Sequence, residues 1–203
     1  MFALVDKSDN SITKMYNGNR GITIGDLQYP KAIYTLWTEA ERNAINIYTI
    51  TIDESKRKDE EWYINTDITY SFDGTNATGS YGDATAKAHA DTLYTQEEDD
   101  AGEGTKDDVK REGLKTILIR QVKNDAEREL NRTDWYITRK AEKNTAIPSA
   151  ITTHRDAVRS KQASMCTAIT NASDTPALET LYTYTTQDDG TVTRPLGELP
   201  TLE

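Results

Sequence analysis

A single cysteine, Cys166, stands in 203 residues. That excludes an intramolecular disulfide and removes any requirement for an oxidising compartment; its surroundings, "SKQASMCTAI", read as a small core position on a helix, with no partner to activate the thiol. Only two histidines, His89 and His154, occur, and neither sits in a metal-ligand spacing. No Gly-x-Ser-x-Gly elbow appears, and "GNRGITIG" lacks both the Lys-Ser/Thr of a phosphate loop and a dinucleotide spacing. No stretch approaches the roughly 20 apolar residues of a membrane span, and "MFALVDKSDNSITKMY" carries no cationic leader. Synthesis in a cytoplasm is expected, with no membrane span.

Apolar residues are scarce as well: 35% of the chain, with a mean hydropathy of −0.75, so any core is lean. Eleven Tyr against two Phe favour half-exposed positions, where the hydroxyl stays wet. The net charge of −10 argues against nucleic acid as a partner. The many carboxylates, at Asp53 and Glu54, Asp59 to Glu61, and Glu97 to Asp100, lie in polar loops. Acid–base chemistry needs a cleft that drives two pKa values apart, and "EEDDAGEGTKDD" lacks the ligand order of a calcium loop. No catalytic residue, cofactor or metal is expected, and the chain does not read as an enzyme.

The pattern that is present indicates an α+β protein: a small antiparallel β-rich N-terminal domain, then an acidic linker and a C-terminal helical hairpin. Residues 1–82 form the β-rich domain. "FALV" and "SITKMY" alternate around Asp9-Asn10, "ITIG" and "AIYTLW" flank Tyr29-Pro30, "IYTITI" is strongly β-branched, and Asp73-Gly74 signals a hairpin. "TEAERNAIN" reads as one short helix, capped by Thr38 with Glu41 in the capping-box position and stopped by a left-handed Asn46. Residues 83–108 carry seven acids between Glu97 and Asp108 and read as a linker, because so polar a run buries too little to offset its ordering entropy.

Residues 109–186 form the helical hairpin domain. Val109, Leu114, Ile117, Leu118, Val122, Ala126 and Leu130 recur near helical spacing, although Gly113 weakens the first turns. Thr133 and Asp134 can cap a short corner helix carrying Trp135, Tyr136 and Ile137. Trp135 and Ile137 are expected to plug the space between two antiparallel helices, with Arg139 to Lys143 as the solvated edge. Pro148 opens the next helix, with Ile151, Val158, Met165 and Ile169 on its apolar side, and Pro176 opens a last short one. Residues 187–203 form an extended tail: Pro195 and Pro200 block a helix, while Leu196, Leu199 and Leu202 offer anchors for docking on a neighbour or on the chain's own domain.

Several stretches together are similar to proteins of tailed bacteriophages, marine ones in particular, described as tail-fibre-assembly-like or virion structural proteins. They are "MFALV" with "SITKMYNGNRGITIGDLQYPKAIYTLWTEAERNAINIYTI", "KDEEWYINT", "RTDWYITRKAEKNTAIPSAITTHRDAVRSK" and "TRPLGELP". The core "TDWYITRKAE…AIP…HRDAVR" carries most of the likeness, and Asn46 departs from it where glycine is the usual residue. The resemblance implies a non-enzymatic virion component of the tail or tail fibres, made in the host cytoplasm and located in the virion. It implies as partners other tail or tail-fibre proteins, in a homo-oligomer, with a trimer the natural guess, or in a heteromeric assembly. Structural or interface candidates are Trp135, Tyr136, Ile137, Arg139, Arg155, Leu196, Leu199 and Leu202. The alternatives are an assembly chaperone absent from the virion and a receptor- or glycan-binding module using aromatics such as Trp62, Tyr63 and Tyr81.

Overall fold

The computed structural model describes residues 1–202 and is α+β, with strands concentrated early in the chain and helices late. The chain divides into two compact units, Met1–Thr85 and a second beginning at Ala86.

In the first unit, Asp9-Asn10 closes a hairpin between β1 (Phe2–Asp6) and β2 (Ser11–Tyr16); Asn10 takes φ 60°, the left-handed conformation that Asn tolerates better than most residues. A second small hairpin, β3 (Ile22–Ile24) with β4 (Leu27–Tyr29), follows. "AIYTLW", expected as strand, instead forms the short helix α1 (Ile33–Leu36): the Ile33 and Tyr34 N–H groups donate back to Pro30 O and Lys31 O, and both adjacent side chains are buried, where a strand would send them to opposite faces. The helix α2 (Glu39–Ala44) has the expected capping box from Thr38 and Glu41, and Asn46 takes φ 61°.

The strand β5 (Ile47–Asp53) then runs antiparallel to β1 and parallel to β8 (Ala77–Ser80). Between them lie β6 (Tyr63–Ile64) and β7 (Thr69–Phe72), and Asp73-Gly74 joins β7 to β8 as the hairpin signal predicts. The sheet order is β2-β1-β5-β8-β7, antiparallel except for the one parallel pair. Each face carries a small apolar cluster. Ala3, Val5, Tyr48, Ile50, Phe72 and Ala77 pack on one, while Ile22, Ile33, Tyr34 and Ile47, with Phe2 and Leu4, pack on the other. Strand alternation therefore splits β1 and β5 between two small cores, the second reaching only β1 and the start of β5, since Thr49, Thr51, Thr69 and Ser71 are exposed. Trp62 and Tyr63, proposed as exposed sugar platforms, are buried.

The division between units falls in β9 (Thr85–Ala86). The stretch 83–108 read as a linker is folded. β10 (Thr92–Leu93) pairs with β11 (Val109–Arg111), and α3 (Gln96–Asp100) sits between them with a capping box from Thr95 and Glu98. Local hydrogen bonding, together with the Lys110–Glu98 ion pair, supplies the order that burial does not. The expected long helix from Val109 starts only at Leu114, as α4 (Leu114–Asn131). Gly113 is the break: its N–H donates to Asp91 Oδ1 at 2.7 Å, and a Cβ there would overlap the Ala90 backbone, so only glycine lets the chain pass this crossing.

After α4 come α5 (Asp134–Lys143), α6 (Ser149–Asn171) and α7 (Thr175–Tyr182). Lys115 Nζ donates to Thr170 O at one end, and Arg155 donates to Leu130 O at the other, so α4 and α6 are antiparallel. The seam is thin: Leu118, Val122 and Ala126 of α4 are buried, as are Ile151, Val158, Met165 and Ile169 of α6. The tail opens with a hairpin of β12 (Thr185–Thr186) and β13 (Val192–Thr193), where an extended path was expected from residue 187.

Candidate interaction surface at the helical corner

The corner between α4 and α6 turns on Thr133, which is 1% exposed. Its hydroxyl does not cap α5, as expected, but donates to Leu130 O at 2.9 Å. The same oxygen accepts from Arg155 Nη1 at 2.6 Å, and that nitrogen also reaches Leu130 O at 2.8 Å and Asp134 Oδ1 at 2.7 Å. Arg155, nearly two turns into α6, is itself buried. One guanidinium thus satisfies the end of α4, the turn and the start of α5. A charge taken out of water is tolerated only when paired and hydrogen-bonded in this way.

A second polar cluster adjoins it. Glu129, whose side chain is 12% exposed, accepts from Arg132 at 2.9 Å and lies 3.1 Å from His154 Nε2. It also accepts the Leu202 N–H at 3.1 Å, so the tail reaches α4. Burial pushes the Glu129 carboxyl up, but the Arg132 hydrogen bond, the Leu202 N–H and the neighbouring Arg132 and His154 outweigh it and hold the group below its ordinary value. Leu196, 2% exposed, anchors the middle of the tail. Its N–H donates to Leu181 O, and its carbonyl accepts from Lys161 Nζ at 2.8 Å. Leu199 and Leu202 are half-buried. The tail therefore docks on its own unit.

Trp135 and Ile137 do not plug the helix pair. They are 51% and 43% exposed, because Arg155, Thr133 and Asp134 fill the corner that the apolar pair was expected to fill. Trp135 and Tyr136 instead stack on each other, with ring centroids 3.8 Å apart. Arg139, four and three residues on, brings its guanidinium carbon to 4.6 Å from the Trp135 ring centre and 5.4 Å from that of Tyr136. It is half-buried against those rings and not part of a solvated edge, and its Nε has no hydrogen-bond partner.

Of the sequence-derived candidates, the structure joins Trp135, Tyr136 and Arg139 in one surface stack, puts Arg155 beneath the corner, and seats Leu196, Leu199 and Leu202 along the tail. Glu129, Thr133 and His154 were not singled out for these roles. The pairing of Glu129 with His154 follows from antiparallel packing, which sequence spacing does not contain. Compared with protein-family models, curated proteins and solved structures, the chain matches none.

Proposed function

We propose that this chain is a non-enzymatic structural protein of a phage tail or tail-fibre assembly, joined to its partner through the helical corner. The observation that carries the contact is the half-exposed Trp135–Tyr136–Arg139 stack. Trp, Tyr and Arg are the residues in which binding energy concentrates at protein interfaces. Here they stand on a helix whose first turn is bonded to the buried Arg155, so little ordering entropy remains to be lost on binding. Between Arg128 and Lys143 the chain has five Lys or Arg against three Asp or Glu, a local excess of cations in a protein of net charge −10. The fitting partner is a protein surface with an apolar recess rimmed by carboxylates.

The placement in a tail rests on the resemblance carried by "TDWYITRKAE…AIP…HRDAVR". Mass spectrometry of purified particles, with a photo-crosslinker at Ile137, tests both parts. Stoichiometric presence in particles, with crosslinks from the corner to another tail protein or a second copy, is expected. Presence only on nascent fibres makes the protein an assembly chaperone. A monomer by light scattering that forms no crosslink in either setting overturns the reading.

A further inference from the structure

We infer that an open cleft in the first unit, between the end of β2 and α1, binds a carboxylate-bearing saccharide. The cleft has a volume of about 630 Å³, within the roughly 300–1,000 Å³ of small-molecule sites, and Lys14, Tyr16, Asn17, Asn19, Arg20 and Tyr34 are among its walls. No acid among the described residues lines it, although the first unit carries thirteen Asp or Glu against eight Lys or Arg. Neither Lys14 nor Arg20 has an ion-pair partner among the described residues. Two unpaired cations converging on a concavity of an acidic unit set a local positive field that selects an anion.

The rest of the wall argues for a sugar as the body of that anion. The half-buried Tyr16 offers ring surface, with Lys14 Nζ 5.5 Å from its ring centre, while Tyr34 lies buried behind it. Asn17 Oδ1 accepts the Asn19 N–H at 3.3 Å, which leaves the Asn17 amide nitrogen and the whole Asn19 amide for ligand hydroxyls.

The loop holding these amides is also fixed. Gly18 takes φ +77°, and a Cβ there would press within 3.1 Å of the Phe2 ring, which packs on Tyr34 with centroids 4.6 Å apart. A Cβ on Gly21 would strike Tyr29 O at 2.6 Å. Gly18 holds the loop close over the Phe2 and Tyr34 rings and Gly21 holds it against the backbone at Tyr29, so the loop is placed before any ligand arrives.

The site lies wholly in the first unit, and its test does not involve the corner. The full chain is titrated with tri-galacturonate, with maltotriose and with inorganic phosphate, and amide shifts are followed by NMR. Tri-galacturonate is expected to move amides of residues 14–22 and 34 with a dissociation constant of about 0.1–10 mM, and maltotriose to bind at least about tenfold more weakly. Arg20→Glu and Lys14→Glu, both at open positions, should each weaken tri-galacturonate at least about tenfold, and Lys106→Glu in the second unit should not. The inference is overturned by no shift up to about 20 mM, by binding indifferent to both variants, or by phosphate moving the same amides as strongly as the sugar acid does.

Discussion

The two units solve the same shortage of apolar residues in opposite ways. The first splits its few large side chains between the two faces of one sheet, so that Ile33 and Ile47 are fully buried on one side and Ala3 on the other. The second runs a thin seam between α4 and α6 and closes its end with charge, placing Arg155, Glu129 and His154 where a larger protein would place leucine. The first unit is therefore held chiefly by area removed from water, and its hydrogen-bonded carboxylates, such as Asp6, Glu41 and Asp73, sit at exposed turns and caps. The second is held in part by hydrogen bonds to charged groups, which are individually strong and fail when one partner is removed or neutralised.

The sharpest separation comes from deleting one side chain in the first unit. Ile47→Ala should cost about 2–5 kcal/mol, because a fully buried isoleucine leaves both a transfer loss and a cavity. Unit-resolved hydrogen exchange should show protection falling in residues 1–85 and holding in the helices; equal loss in both would mean that the units do not fail separately. Arg155→Met asks the same of the second unit. It takes the guanidinium donor away from the buried Thr133 hydroxyl oxygen, from Asp134 Oδ1 and from Leu130 O, which keeps only its Thr133 donors, and should cost about 3 kcal/mol, confined to α4, α5 and α6. A loss no larger than an exposed arginine gives would show that solvent enters the corner freely.

Acid should expose the difference next. The Glu129 carboxyl is held below its ordinary value near 4.5, so the unfolded chain takes up the proton first as pH falls. Its contribution is complete above about 4.5 and is lost as pH drops through the lower folded value. Glu129→Gln should lower the stability of the second unit at neutral pH and flatten its acid limb below about 4.5, leaving the first unit's limb unchanged; denaturant titrations at stepped pH measure both. Smallest of all is the expected effect of Trp135→Ala on stability, about 1 kcal/mol or less, since half of that ring is already in water. A thermal melt checks it. A loss near the cost of a core aromatic would return Trp135 to the interior and remove the contact proposed for it.

Local signals carried well from sequence to structure. The Thr38–Glu41 capping box, the Asp9-Asn10 turn, the left-handed Asn46, the Asp73-Gly74 hairpin and the Pro148 start of α6 each depend on residues within a few positions of one another. The apolar side of α6 did too, because helical periodicity fixes which residues share a face. The corner did not. "TDWYIT" reads equally as an apolar plug or as an exposed stack, and what decides is Arg155, twenty residues along the chain from Trp135, arriving from the facing helix to occupy the space.

The same division accounts for the acidic stretch. Its composition predicts a linker, since composition measures burial and this run has little to bury. Its order comes from partners outside the window: Val109–Arg111 to pair with Thr92 and Leu93, Lys110 to neutralise Glu98, and Gly113 to let Asp91 bond the start of α4. By itself the sequence determined an α+β chain of β-rich then helical halves, with its caps, its turns and the buried face of its longest helix. Only the tertiary structure decided that the corner is closed by an arginine, that the tryptophan faces water and that the tail's leucines return to their own unit. Caps and periodicities are set by neighbours that the backbone holds in place, whereas a buried charge or an exposed ring is settled by whichever distant side chain fills the space first.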